Sequence, residues 1–88
     1  MMDIVFSQHA LAQMPDRGAT KQEVEAAIRN GEKAAARQGR IAFRKNFTFE
    51  GAWKGRYYET KQVVSIIKEE ADRLVVVTVY VFYFGGKG

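Results

Sequence analysis

The stretch from Arg73 to Phe84 constrains this chain more than any other: after the arginine it holds only Leu, Val, Thr, Tyr and Phe, and neither Gly nor Pro intervenes before Gly85. β-Branched and aromatic side chains in such a run predict a single long strand. It is apolar at odd and even positions alike, so both faces need cover, which puts it in the interior of a sheet. The series Val75, Val77, Val79 and Val81 makes the better surface to lie beneath helices. Leu74, Val76, Thr78, Tyr80, Phe82 and Phe84 then share the other face, because successive side chains of a strand alternate. Thr78 and Tyr80 put hydroxyls on that second face, which makes it the first place to look for chemistry.

The rest of the chain has to supply the cover. Ile4-Val5-Phe6 fits either a brief extended segment or an apolar lead-in to a helix. Ser7 is a helix cap, followed by Ala10, Leu11 and Met14 at helical spacing, and Pro15 and Gly18 keep that helix short. Thr20 and Glu23 form a capping box for a second helix, in which Val24, Ala27 and Ile28 make an apolar stripe and Asn30-Gly31 supplies the stop. Glu32 to Gly39 is ambiguous, since Lys33-Ala34-Ala35-Ala36-Arg37 can also add a helical turn. Arg40 to Phe47 alternates, with Ile41, Phe43, Lys45 and Phe47 on one face and Arg40, Ala42, Arg44 and Asn46 on the other. Phe49 to Gly55 has turn composition around Trp53. Arg56 to Thr60 reads as extended, Lys61 to Lys68 as a further strand, and Glu69 to Asp72 as a charged hairpin turn. The expected fold is α+β, with two N-terminal helices packed on one face of a three- to four-stranded antiparallel sheet. One domain spans 1–88, of which 85–88 form a flexible tail.

With 88 residues there is room for one small core. The chain has no cysteine and one histidine, so disulfides and thiolate zinc sites are excluded and no metal or cofactor is implied. It has neither a run of about 18 apolar residues nor a basic-then-apolar leader. No membrane partner is therefore expected, and the cytoplasm is the expected location. Fourteen Lys and Arg against ten Asp and Glu leave a net charge of +4, which either favours a polyanionic partner or serves only to solvate the surface.

His9 is the only imidazole, the side chain best suited to proton transfer near neutral pH. On a helix it shares a stripe with Gln13, beside the apolar stripe; the plain alternative is a hydrogen-bonded packing histidine. Arg17, Arg40, Arg44, Lys45, Arg56 and Lys61 supply positive charge. Interleaved with Phe43, Phe47, Tyr57 and Tyr58, they make the mixture of cations and stacking rings that binds single-stranded nucleic acid, or else they solubilise an edge strand. Gly85-Gly86-Lys87-Gly88 is not a phosphate loop, because no helix follows it. Glu69, Glu70 and Asp72 read as a solvated turn rather than a metal site.

Phe6-Ser7-x-His9-Ala10-Leu11-x-x-Met14-x-x-Arg17-Gly18-x-Thr20, then Val24 and Ile28, then Val76-Val77-Thr78-Val79-Tyr80, resembles the domain of unknown function 4258. Tyr57-Tyr58-x-x-Lys61-Gln62-Val63 and Val81-Phe82-Tyr83-Phe84 are similar to one bacterial subgroup of that family. The resemblance implies a small α+β domain of the barnase, EndoU, colicin and RelE-like ribonuclease group, whose members resemble toxins of toxin–antitoxin pairs. It also implies a small zinc-finger, antitoxin-like protein as partner. Gln13 stands where members commonly carry a basic residue, and Pro15 interrupts a helix that usually runs on.

The expected activity is then metal-independent endoribonucleolysis of single-stranded RNA by attack of the ribose 2′-OH. His9 is the expected acid or base, Lys61 with Arg17 or Arg44 the stabilisers of phosphoryl charge, and Tyr80 the group that positions RNA or supplies a proton. Arg40, Arg44, Lys45 and Thr78 are the expected substrate contacts. The alternatives are a non-catalytic basic domain that binds RNA or protein, and a module whose Phe82-Tyr83-Phe84 end pairs with another chain by strand addition. A homodimer fits any of these readings.

Overall fold

In a computed structural model describing residues 2–86, the chain opens with strand β1 (Asp3–Phe6), followed by helices α1 (Gln8–Arg17) and α2 (Lys21–Asn30). Strands β2 (Glu32–Ala35), β3 (Ile41–Trp53), β4 (Arg56–Glu69) and β5 (Arg73–Phe84) follow. The sheet order is β1-β5-β4-β3-β2, with β1 parallel to β5 and every other pairing antiparallel. The α+β class stands, but the sheet has five strands and is mixed, where three or four antiparallel ones were expected. Two of the five strands are short: β1, where a brief extended segment was one of the two readings of Ile4-Val5-Phe6, and β2, which was not foreseen. β1 gains its place by docking Ile4 and Phe6 beside Leu74 and Val76. β2 is exposed at all four positions, so it carries no hydrophobic period and is a strand only because its backbone pairs with β3.

Each helix begins where its cap is. Ser7 Oγ accepts from Ala10 N at 3.0 Å, and Thr20 and Glu23 close both halves of the capping box. α1 runs on past Pro15 to Arg17. Proline removes only the amide that would bond the Leu11 carbonyl, and both residues lie on the exposed side, where water can serve. Gly18 ends the helix at φ 82°, and the Gly18 and Ala19 amides both donate to the Met14 carbonyl, at 2.8 and 2.9 Å.

β3 likewise extends through the stretch expected to turn. One extra residue is absorbed between Thr48 and Gly51, with Glu50 at φ 46°, and the chain reverses only at Lys54 and Gly55. Both take positive φ, 50° and 83°, which suits a two-residue hairpin between twisted strands.

One face of the sheet is covered by α1 and α2. Ala10, Met14, Ala19, Val24 and Ile28 pack there on Val63, Ile67, Val76 and Val79, with Ile4, Phe6, Phe43, Phe47, Leu74 and Val81 around them. The valine series of β5 does not stay on that face. The register against β4 slips between Ile66 and Ile67, so that Ile66 pairs with Thr78 but Ile67 with Val76. Val77 is the extra residue, and strict alternation fails across it. Val79 and Val81 face the helices as expected, whereas Leu74 and Val76 join them in place of Val75 and Val77. Beyond Phe84, the Gly85 carbonyl accepts from Glu59 N at 3.1 Å; the rest of the expected tail, 87–88, lies outside the described residues. No helix among the described residues is long and apolar enough to cross a membrane.

Candidate nucleic-acid interface

The face turned away from the helices is uncovered. Its cross-strand rows are Ala42, Ile66 and Thr78; then Arg44, Val64 and Tyr80; then Asn46, Gln62 and Phe82; then Thr48, Thr60 and Phe84. Along β5 this stands three rings in a column, with Tyr80 44%, Phe82 51% and Phe84 43% exposed. The Tyr80 and Phe82 rings lie 6.4 Å apart and within 23° of parallel. An exposed aromatic column of this kind is a candidate binding surface.

Positive charge borders the column. Ala36, Arg37, Gln38 and Arg40 line a shallow cavity of about 420 Å³ together with Ile66, Thr78 and Tyr80. The Arg40 guanidinium donates to Gln38 Oε1 at 2.8 Å, and Arg44 pairs with Glu32 at 3.1 Å, both exposed. Of the four expected substrate contacts, Arg40, Arg44 and Thr78 therefore share this side. Lys45 does not. Its register opposite Val63 puts it on the helix side, where its ammonium lies 5.7 Å from the centre of the Phe47 ring.

β1 ends at Phe6, leaving the outer edge of β5 unpaired beyond Val76, and α1 closes it with side chains. Ser7 N donates to the Val76 carbonyl at 3.0 Å. Farther along, Val79 N donates to Gln13 Oε1 at 2.9 Å, and Arg17 Nη1 donates to the Val79 carbonyl at 2.6 Å. Gln13 and Arg17 thus act as a substitute strand, satisfying backbone groups that would otherwise form an open edge. The Arg17 guanidinium also lies 5.3 Å from the centre of the Tyr80 ring. His9 is exposed and stands on the same helical stripe, four residues and about 6 Å of helix before Gln13. The structure therefore brings Arg17 and Tyr80 together but not His9, which stands eight residues, about 12 Å of helix, before Arg17.

Lys61 is elsewhere. It alternates with Val63, Ser65 and Ile67 on the covered side and is 7% exposed. Its ammonium pairs with Glu23 at 2.8 Å, donates to the Gly18 carbonyl at 2.9 Å and lies 5.4 Å from the centre of the Phe49 ring. Next to it, Tyr83 Oη donates to the Arg17 carbonyl at 2.9 Å, while its ring stacks on Trp53 at 5.1 Å. Burial, and then the Glu23 charge, push the Tyr83 phenol above its ordinary value. Gly18 is enclosed by the Tyr83 hydroxyl and the Trp53 ring, so that a Cβ there would collide with both. The α1–α2 junction is thus clamped to the sheet by Lys61 and Tyr83.

Gln13 and Tyr83 matter more than sequence reasoning allowed. The signal for Gln13 was its place between His9 and Arg17 at four-residue spacing; nothing local pointed to Tyr83. Among the described residues no three His, Asp or Glu side chains converge where a metal ion could sit. Residues 6–81 match the model of a family described as a domain of unknown function, DUF4258, a span that holds His9, Arg17, Lys61 and Tyr80 and stops before Phe82. No curated protein and no solved structure gives a significant match.

Proposed function

We propose that this chain, which belongs to the DUF4258 family, receives single-stranded RNA on the uncovered face of its sheet and cleaves it at the β5 edge as a toxin-type endoribonuclease. The observation that carries the reading is the exposed column Tyr80, Phe82 and Phe84 bordered by Arg37, Arg40 and Arg44. Bases stack on such rings while guanidinium groups meet the phosphates. Cleavage requires a base to take the 2′-OH proton, attack of that oxygen on the adjacent phosphorus, and an acid to protonate the departing 5′-oxygen. The products are a 2′,3′-cyclic phosphate and a 5′-hydroxyl.

In this scheme His9 is the acid or base, and Arg17, held over Tyr80, stabilises charge on the phosphoryl oxygens. Tyr80 positions the nucleotide or supplies a proton. Lys61 contributes only by fixing the end of α1. The reading also places the protein in the cytoplasm and gives it a small zinc-finger, antitoxin-like partner.

Incubation with labelled single-stranded RNA in EDTA, beside His9→Ala and Arg17→Ala, tests the chemistry. Loss of a proton-transfer group slows such a step on the order of a hundredfold to ten-thousandfold, and unchanged cleavage in His9→Ala would remove the site assignment. A second reading, RNA binding without turnover, is favoured by one observation: Arg17 and Gln13 are already bonded to the Val79 backbone. Salt-sensitive binding with no cleavage would select it.

A further inference from the structure

The third row of the uncovered face carries two carboxamides beside the most exposed ring of the β5 column. Gln62 sits between Asn46 on β3 and Phe82 on β5, and its Nε2 donates to Asn46 Oδ1 at 2.9 Å. That bond fixes the two planar groups relative to each other and does not use Gln62 Oε1, an acceptor, or the Asn46 N–H donors. Exchanging the roles of the two amides leaves the same pair, one acceptor beside one donor, facing outward. Directly opposed side chains on a sheet stand about 5 Å apart, so a base lying on the 51% exposed Phe82 ring brings its edge to the carboxamides.

We propose that Asn46 and Gln62 read the base stacked on Phe82 and select adenine, an inference that rests on the RNA-binding reading of the same face. A donor–acceptor carboxamide pair matches the adenine edge, where the N6 amino group donates and N7 accepts. Guanine presents two acceptors on that edge, O6 and N7, and would turn one against the free amide oxygen. Cytosine and uracil lack N7 and can meet the pair only through their Watson–Crick edges. In the neighbouring row Arg44 would meet phosphate whatever the sequence, which leaves base choice to this row.

The test is binding of fluorescent single-stranded A8, C8 and U8 oligoribonucleotides to the full chain, to Asn46→Ala/Gln62→Ala and to Phe82→Ala, each checked for folding by circular dichroism. The wild type should favour A8 on the order of tenfold to a hundredfold. The double variant should bind A8 no better than U8 while its U8 affinity stays within about twofold, as expected when base contacts are removed and phosphate contacts kept. Phe82→Ala should weaken all three oligonucleotides alike. Equal wild-type affinity for the three, or an A8 preference that survives in the double variant, overturns base reading by this pair and leaves RNA binding standing. Absence of binding to every oligonucleotide overturns both.

Discussion

Lys61 shows how the surroundings of a residue decide what its charge is for. Its side chain is 9% exposed and that of its partner Glu23 21%, so removing the ammonium would strand a largely desolvated carboxylate and free the Gly18 carbonyl. Lys61→Met should therefore cost about 2–4 kcal/mol of stability, read from the urea midpoint, and adding Glu23→Gln should return part of it. Tyr83 gives a pH signature. Its phenol holds its proton to higher pH in the folded chain than in the unfolded one, where it titrates at about pH 10. The unfolded state then binds fewer protons above that pH, so this contribution is complete below about pH 10 and is lost as pH rises through the folded value. Tyr83→Phe should lack this alkaline loss and be about 1 kcal/mol less stable at neutral pH, for the missing bond to Arg17. From the sequence, Lys61 was expected to stabilise phosphoryl charge in the same site as Tyr80. The parity of β4, in which Lys61, Val63, Ser65 and Ile67 all face one way, carries the opposite message, but parity within a strand does not say which face the helices will cover.

At the scale of elements, the capping box of Thr20 and Glu23 was legible because all its atoms come from neighbouring residues. So was the long strand at Arg73–Phe84, although it is interior only from Arg73 to Val76, where β1 pairs with it, and one of its faces is bare where cover on both was expected. The slip at Val77 was not, because it depends on where β1 ends and how β5 pairs with β4. The strand was expected to alternate strictly, and the bulge is what lets Val76 and Val79 both reach the core. Deleting Val77 would remove the bulge and leave Val76 and Thr78 as neighbours opposite Ile67 and Ile66, so that both halves of β5 keep their register and their faces. We expect a chain deleted at Val77 to keep cooperative thermal unfolding by circular dichroism, and loss of that cooperativity would contradict the assignment of Val77 as the extra residue. α1 explains why Gln13 suits its position. A neutral amide can accept from the Val79 amide, which a lysine cannot.

For the whole molecule, the decisive feature is asymmetry. Helices and the clamped α1–α2 junction cover one side of the sheet, and the other side stands bare with its rings and arginines. The sequence concentrates aromatics in the second half of the chain, yet only the folded register separates Phe49, Trp53 and Tyr83, which pack at the junction, from Tyr80, Phe82 and Phe84, which do not. If Arg37, Arg40 and Arg44 each meet one phosphate, the logarithm of the RNA binding constant should fall with the logarithm of salt concentration at a slope of about −2. Arg44→Ala should make that slope shallower by about 0.7. The most direct test of the central claim is titration of isotope-labelled protein with single-stranded RNA, followed by amide and side-chain shifts in nuclear magnetic resonance. The account predicts shifts at Thr78 to Phe84, at Arg40 to Thr48, at His9 and Arg17 and at the Asn46 and Gln62 carboxamides, with the rest of α1 and α2 unmoved. Shifts confined to those helices, or none at RNA concentrations well above that of the protein, would contradict it.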